Sequence, residues 1–250
     1  MSQYVIPLFA NRFTLYHFIF PSLFYFGITL IIYLMNWDYN LSLYFYDLQG
    51  SHWSLKEAFL TETVIHHYGK YFSIIVYVFI IILYILSLYQ HSISLAPVKN
   101  RLLASKQGLL YLVVSTLIAT LSISMLKHLT HIDCPWSMRG LGGDLEYFPW
   151  LNVLFSSHNE KGQCFPAGHA SAAYAFFSLY FFSLCYFRKK ALYILMVVIA
   201  FGVIFGLAQQ LRGAHFISHD ITTAYLCWMI NAVFYVLILK EKTIQMDSWI

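Results

Sequence analysis

The chain has 250 residues, of which 60% are hydrophobic, 19% aromatic and only 10% charged, with a mean hydropathy of +0.64 and a formal net charge of +4. An ordinary soluble domain carries about 25% charged residues, so this composition excludes a water-exposed globular surface. The small positive charge sits in clusters beside the apolar runs, so it reads as topology information and not as a nucleic-acid-binding footprint. The apolar residues come in runs long enough to cross a hydrocarbon core, which takes about 20 residues of helix.

Taken in chain order, six such runs are predicted, at about 13–36, 71–89, 107–126, 167–187, 191–211 and 221–239. The expected fold is therefore all-α: a six-transmembrane-helix bundle forming one integral membrane domain over residues 1–250. The first run is too long for a signal-peptide core and no small-residue cleavage site follows it, so it is expected to be retained. If the helices alternate, Arg12, Lys99, Arg101, Lys106, Arg188, Lys189, Lys190, Lys240 and Lys242 fall on one side. The positive-inside rule makes that side cytoplasmic, with both termini there. Lys56, Lys70, Lys127, Arg139, Lys161 and Arg212 fall on the other side.

That outer side collects the remaining polarity. Residues 54–67 (SLKEAFLTETVIHH) fit a short helix on the membrane surface, with Ser54 and Glu57 spaced as a capping pair; they fit a solvated connector equally well. Residues 128–166 form the longest non-membrane stretch, an outward-facing loop punctuated by Gly140, Gly142, Gly143 and Pro149.

Three polar stretches abut the apolar runs on this face. Residues 127–136 (KHLTHIDCPW) leave the third run, residues 164–171 (CFPAGHAS) enter the fourth, and residues 209–220 (QQLRGAHFISHD) join the fifth to the sixth. Ionisable groups at a bilayer cost about 2.5–3.5 kcal/mol each at a helix centre, so their gathering at one face marks a site. Gly168 allows close backbone approach at a helix start, whose free N–H groups favour an anion. Lys127 and Arg212 add fixed positive charge. The combination predicts a phosphate cradle. His66, His67, His128, His131 and His158 stand outside these motifs and are expected to be ordinary interfacial residues.

The order of these residues resembles the type 2 phosphatidic acid phosphatase family, relatives of the vanadium haloperoxidases. The family pattern is Lys, six residues, Arg-Pro; then Pro-Ser-Gly-His; then Ser-Arg, five residues, His, three residues, Asp. Lys127 and Pro135 match the first motif, and Cys134 stands at its Arg position. Pro166, Gly168 and His169 match the second, with Ala167 in place of Ser. In the third, Gly213 and His215 match and Ser218 resembles the usual neighbour, while Gln209 occupies the Arg position and His219 the Asp position. Arg139 and Arg212 are the residues available to replace the two missing arginines.

The resemblance implies hydrolysis without a metal or other cofactor. His215 would attack phosphorus to form a phosphohistidine, and His169 would protonate the leaving oxygen and then activate water. Lys127, Arg212, Arg139 and the backbone at Ala167 and Gly168 would hold the phosphate oxygens. The ring of His215 needs an orienting acceptor; His219 holds the family position for that task and Asp220 has the better chemistry, so both stand as candidates.

Two cysteines, Cys185 and Cys227, lie in apolar runs and are expected to be packing residues. Cys134 and Cys164 lie in the outward loop, where an oxidising compartment favours a disulfide, closing about 31 residues and worth about 3–4 kcal/mol. A zinc site at these cysteines lacks any close Cys pair. The expected function is a phosphatase for a lipid phosphate or lipid diphosphate, embedded in membrane lipid, with its site on the periplasmic face of a bacterial inner membrane. A lipid phosphotransferase using the same histidine and a non-catalytic transporter or binding protein for anionic lipid are the alternatives.

Overall fold

The computed structural model describes residues 12–89, 106–154 and 162–247, with side chains described as far as residue 239. Lys99, Arg101, His158 and Lys161 lie outside the described residues. Helix α1 (Arg12–Leu34) is followed by α2 (Trp37–Leu48), and α3 (Phe59–Tyr68), wound in wide π turns, runs directly into α4 (Gly69–Leu88). Then come α5 (Lys106–Thr130), the short α6 (Trp150–Leu154), α7 (Gly168–Tyr174), α8 (Phe177–Tyr186), α9 (Arg188–Leu211) and α10 (Ile217–Asp247). Among the described residues the only extended pairings are isolated bridges, Met138 with Leu145 and Arg139 with Gly143.

The helical membrane bundle expected from the sequence is present, with one difference in its count. Among the described residues, five stretches are long and apolar enough to cross a membrane: Arg12–Leu34, Ser54–Leu88, Lys106–Ser137, Arg188–Leu211 and Ile217–Leu239. The predicted fourth run is instead two short helices, α7 and α8, separated at Ala175 and Phe176. At the break the Leu179 N–H reaches only to the Phe176 carbonyl, and the Asn231 side-chain amide of α10 donates to the Ala175 carbonyl at 3.2 Å. Such compensation matters because an unpaired carbonyl in a bilayer costs several kcal/mol.

This broken helix lies at the centre, where Ala170, Ala173, Phe177, Phe181 and Phe182 are buried. Helices α5 and α10 flank it. The Thr116 and Ser178 hydroxyls bond at 2.8 Å, and the Tyr111 hydroxyl donates to the Asn231 carbonyl at 3.0 Å. The outer surface is apolar instead: Phe24 and Phe26 of α1, Ile75 and Phe79 of α4, and Leu192 and Met196 of α9 are all exposed. A bundle with its apolar side chains turned outward is suited to hydrocarbon.

At one end, α2 and the loop over residues 135–147 form a cap. Met138, Leu141 and Phe216 pack there with Tyr39 and Trp53. Gly213, at φ +70°, lets the Trp53 indole lie where a Cβ would come within 2.5 Å of it. Buried Asp38 of α2 accepts hydrogen bonds from the Ser218 backbone N–H at 3.0 Å and from its hydroxyl at 2.6 Å, fixing the start of α10.

Candidate active site

The three polar stretches meet beneath this cap, joined by their own backbones. Cys164 N–H donates to the Ile132 carbonyl at 2.8 Å, Trp136 N–H to the Gly213 carbonyl at 3.0 Å, and Ala167 N–H to the His219 carbonyl at 3.4 Å. Cys134 and Cys164 form the expected disulfide, with Cα atoms 5.3 Å apart. First, second and third stretches are thus tied pairwise, although 79 positions separate Lys127 from Gly206 at the approach to the third.

Lys127, Gly168, His169, Arg212 and His215 all line one cavity of about 700 Å³. Lys127 lies near the end of α5, and its ammonium sits in ordinary contact distance of Gly168, 3.5 Å from where a Cβ would stand. His215 is buried, and its Nδ1 is 2.7 Å from the Cys164 carbonyl. A carbonyl can only accept, so Nδ1 carries the proton and Nε2 keeps its lone pair. Burial holds the His215 pKa well below the usual imidazole value, and His219 and Lys127 push the same way. The ring is neutral at neutral pH.

The acceptor that meets the His215 ring is therefore the Cys164 carbonyl, a backbone group that the sequence reading did not name. His219 is fully buried against Phe165 and Phe216, its ring centroid is 5.8 Å from that of His215, and neither of its ring nitrogens has a hydrogen-bond partner. Asp220 faces another cavity and accepts a hydrogen bond from Gln210. Ala167 is buried with its N–H already engaged by His219. Arg139 is exposed, pairs with Glu146 at 3.3 Å and lies outside the cavity.

Arg212 is held on three sides. Its Nε–H donates to the Lys56 carbonyl at 2.8 Å, Nη1 donates to the Gln209 side chain at 3.0 Å, and Nη2 pairs with Glu62. Gln209, which stands at a family Arg position, thus supports an arginine from one turn further on. His169 donates from Nε2 to the Ile65 carbonyl at 3.2 Å, and its ring lies 4.7 Å from that of His66.

Helix α3 is accordingly a wall of the site. His66 and Lys70 line the cavity, and Glu62 bonds Arg212, His66 and His67. The signal was visible as Glu62, His66 and Lys70 at intervals of four, one face of a helix entering an apolar run. Glu62, His66 and His67 offer ligand atoms within 4.8 Å of one another, a cluster that could hold a metal ion. Arg212 already engages that carboxylate.

From the charged end the cavity continues between α4 and α5, past Ser73, Ile74, Tyr77, Thr116, Leu117 and Thr120. Thr116 is three turns below Lys127, about 16 Å along the α5 axis at 1.5 Å per residue. Ile74 and Leu117 are also exposed on the lipid-facing surface. Cations, imidazoles and a channel of mixed apolar and hydroxyl-bearing side chains that borders the lipid-facing surface are thus parts of one space.

Comparison with curated proteins and with solved structures gives no significant match. A family model does match: residues 108–242, more than half of the chain, fit the PAP2 superfamily, and the chain belongs to that superfamily.

Proposed function

We propose that the protein is a membrane lipid phosphatase that hydrolyses a lipid phosphate or lipid diphosphate at the outer face of the cytoplasmic membrane, through a phosphohistidine intermediate. Membership of a phosphatase superfamily supports the phosphoester chemistry. The observation that carries the lipid reading is the cavity, which joins Lys127, Arg212, His169 and His215 to a channel between α4 and α5 that borders the lipid-facing surface. A headgroup phosphate at the charged end would leave its hydrocarbon chain in the channel.

In this reading Nε2 of His215 attacks phosphorus, and the bond to the leaving alkoxide breaks as His169, in its imidazolium form with Nε2–H kept on the Ile65 carbonyl, delivers its Nδ1 proton to it. Water, deprotonated by His169, then attacks the phosphohistidine, releasing inorganic phosphate and restoring His215. Lys127 and Arg212 hold the non-bridging oxygens as charge develops, and Gly168 leaves room for them beside the ammonium. With these cations in place the chemistry calls for no metal. Residues 128–166 act as the outward loop carrying part of the site. The excess of Lys and Arg on the opposite side supports cytoplasmic termini and a periplasmic site.

The test is phosphate release from a panel of lipid phosphates and diphosphates in detergent, with wild type beside His215→Ala and His169→Ala. His215→Ala should lose at least about a thousandfold in kcat/KM, and His169→Ala about 10²–10⁴-fold. Release retained by His215→Ala would refute the phosphohistidine mechanism, and no release by wild type from any lipid of the panel would leave an anionic-lipid binding protein.

A further inference from the structure

Asp220 is the acidic residue that the third motif leaves without a task. On α10 it lines not the cavity of His215 but a second one of about 480 Å³. The walls of this cavity come from α1, α2, α7, α8, α9 and α10. Phe24 and Val203, both among its lining, are exposed on the lipid-facing surface. Its rim therefore meets hydrocarbon.

Most polar groups around this cavity have partners. The Tyr25 hydroxyl bonds Thr222 at 3.2 Å, the Tyr225 hydroxyl bonds Ser22 at 3.1 Å, and the Trp228 indole N–H donates to the His17 carbonyl at 2.8 Å. Asp220 differs: it is 6% exposed, Gln210 donates to its Oδ2, and its Oδ1 is buried with no partner. A Cβ on Gly206 would come within 2.8–3.1 Å of this carboxyl group, so the glycine keeps the space it occupies. A polar group left unbonded among apolar side chains costs several kcal/mol. A hydrogen-bond donor on an occupant of the cavity would satisfy this oxygen.

The lining also says what that occupant is not. It contains no Lys, Arg or His, so a phosphate-bearing headgroup would face a carboxyl group with no cation to balance it. A hydrocarbon ending in a neutral hydroxyl satisfies both the acceptor and the apolar walls.

We infer that the cavity between α1, α9 and α10 is a binding site for a phosphate-free lipid alcohol, whose hydroxyl donates to Asp220 Oδ1 and whose chain packs against Phe24, Phe177 and Leu207. The inference does not rest on the proposed hydrolysis, although a dephosphorylated lipid is one such alcohol.

Native mass spectrometry of the full chain in detergent tests it, with 1,2-dioleoylglycerol as probe and its hydroxyl-capped 3-acetyl ester as control. Wild type should retain one dioleoylglycerol, binding it at least about tenfold more tightly than the capped ester. Asp220→Leu removes the acceptor and Ala224→Phe fills the cavity, and each should weaken binding at least about tenfold. His215→Ala should keep the adduct, which separates this site from the catalytic one. Should Asp220→Leu fail to fold, Ala224→Phe and the capped ester decide alone. Absence of the adduct, equal binding of the capped ester, or wild-type binding by Ala224→Phe would overturn the inference, as would retention of a long-chain amine in preference to the alcohol.

Discussion

At His215 the chemistry turns on which ring nitrogen carries the proton. The Cys164 carbonyl takes the Nδ1 proton at 2.7 Å, and burial keeps the ring from gaining a second one at Nε2 until the pH is well below the ordinary imidazole range. The sign follows: protonation removes the nucleophile, and because the pKa is lowered, activity dependent on His215 persists as pH falls through 6.5 and is lost only further down. A pH profile of kcat/KM should therefore show no loss centred at 6.5 beyond what the substrate's own ionisation explains, the second pKa of a phosphate being about 6. An acid limb of enzyme origin at the ordinary imidazole value would refute the buried neutral ring. Charge compensation for the missing family arginines also resolves at single residues. Arg212 lines the cavity and is braced by Lys56, Gln209 and Glu62, whereas Arg139 is exposed beside Glu146. Removing one preorganised donor to developing charge costs about 10²–10³-fold. Arg212→Ala should fall by that order in phosphate release, and Arg139→Ala should change it by less than about twofold; the reverse order would transfer the phosphate contact to Arg139.

Between elements, the connection from α5 to α7 is held by the Cys134–Cys164 disulfide and by the Cys164 N–H bond to Ile132. The same Cys164 presents the carbonyl that accepts from His215 Nδ1, so the cross-link couples the loop to the proposed nucleophile. Closing about 31 residues contributes about 3–4 kcal/mol in the chain-entropy model. Replacing both cysteines by serine should lower stability by about 3 kcal/mol, read from a thermal melt. It should also lower kcat by about tenfold at temperatures where the variant is still folded. Loss of stability with unchanged kcat in the folded fraction would reduce the disulfide to a staple with no hold on His215. The pairing was legible because two outward-loop cysteines stood beside two motif prolines. The carbonyl's role was not legible, because a backbone group carries no residue identity and the search for an acceptor stopped at the side chains of His219 and Asp220. The rest of that miss is one of direction: counting four residues on from His215 to His219 assigns a motif position but not where the side chain points, and α10 begins only at Ile217.

Across the whole molecule, long apolar runs announced the bundle, because hydrocarbon leaves the backbone no option but helix. They overstated its regularity, since the break at Ala175 and Phe176 is stabilised by Asn231, 56 positions away, and no local signal marks it. Helix α3 and the first turn of α4 were obscured for a related reason: Glu62, His66 and Lys70 read as surface polarity until the cavity placed His66 and Lys70 in its wall. The same cavity makes a demand on the substrate that no single residue expresses. Its charged end suits any phosphate, and under the proposed lipid reading the channel between α4 and α5 takes the hydrocarbon chain. Leu117 stands in that channel and also on the lipid-facing surface, so Leu117→Trp should obstruct the chain without touching Lys127, His169, Arg212 or His215. Each methylene kept out of apolar surroundings forfeits about 0.8 kcal/mol, so displacing two of them costs about tenfold in kcat/KM. The expected outcome is a kcat/KM about tenfold lower for a long-chain lipid phosphate and little changed for a water-soluble short-chain one, measured side by side in the same detergent. An equal fall for both would place the obstruction at the phosphate, and no fall for either would mean that the hydrocarbon enters by another path.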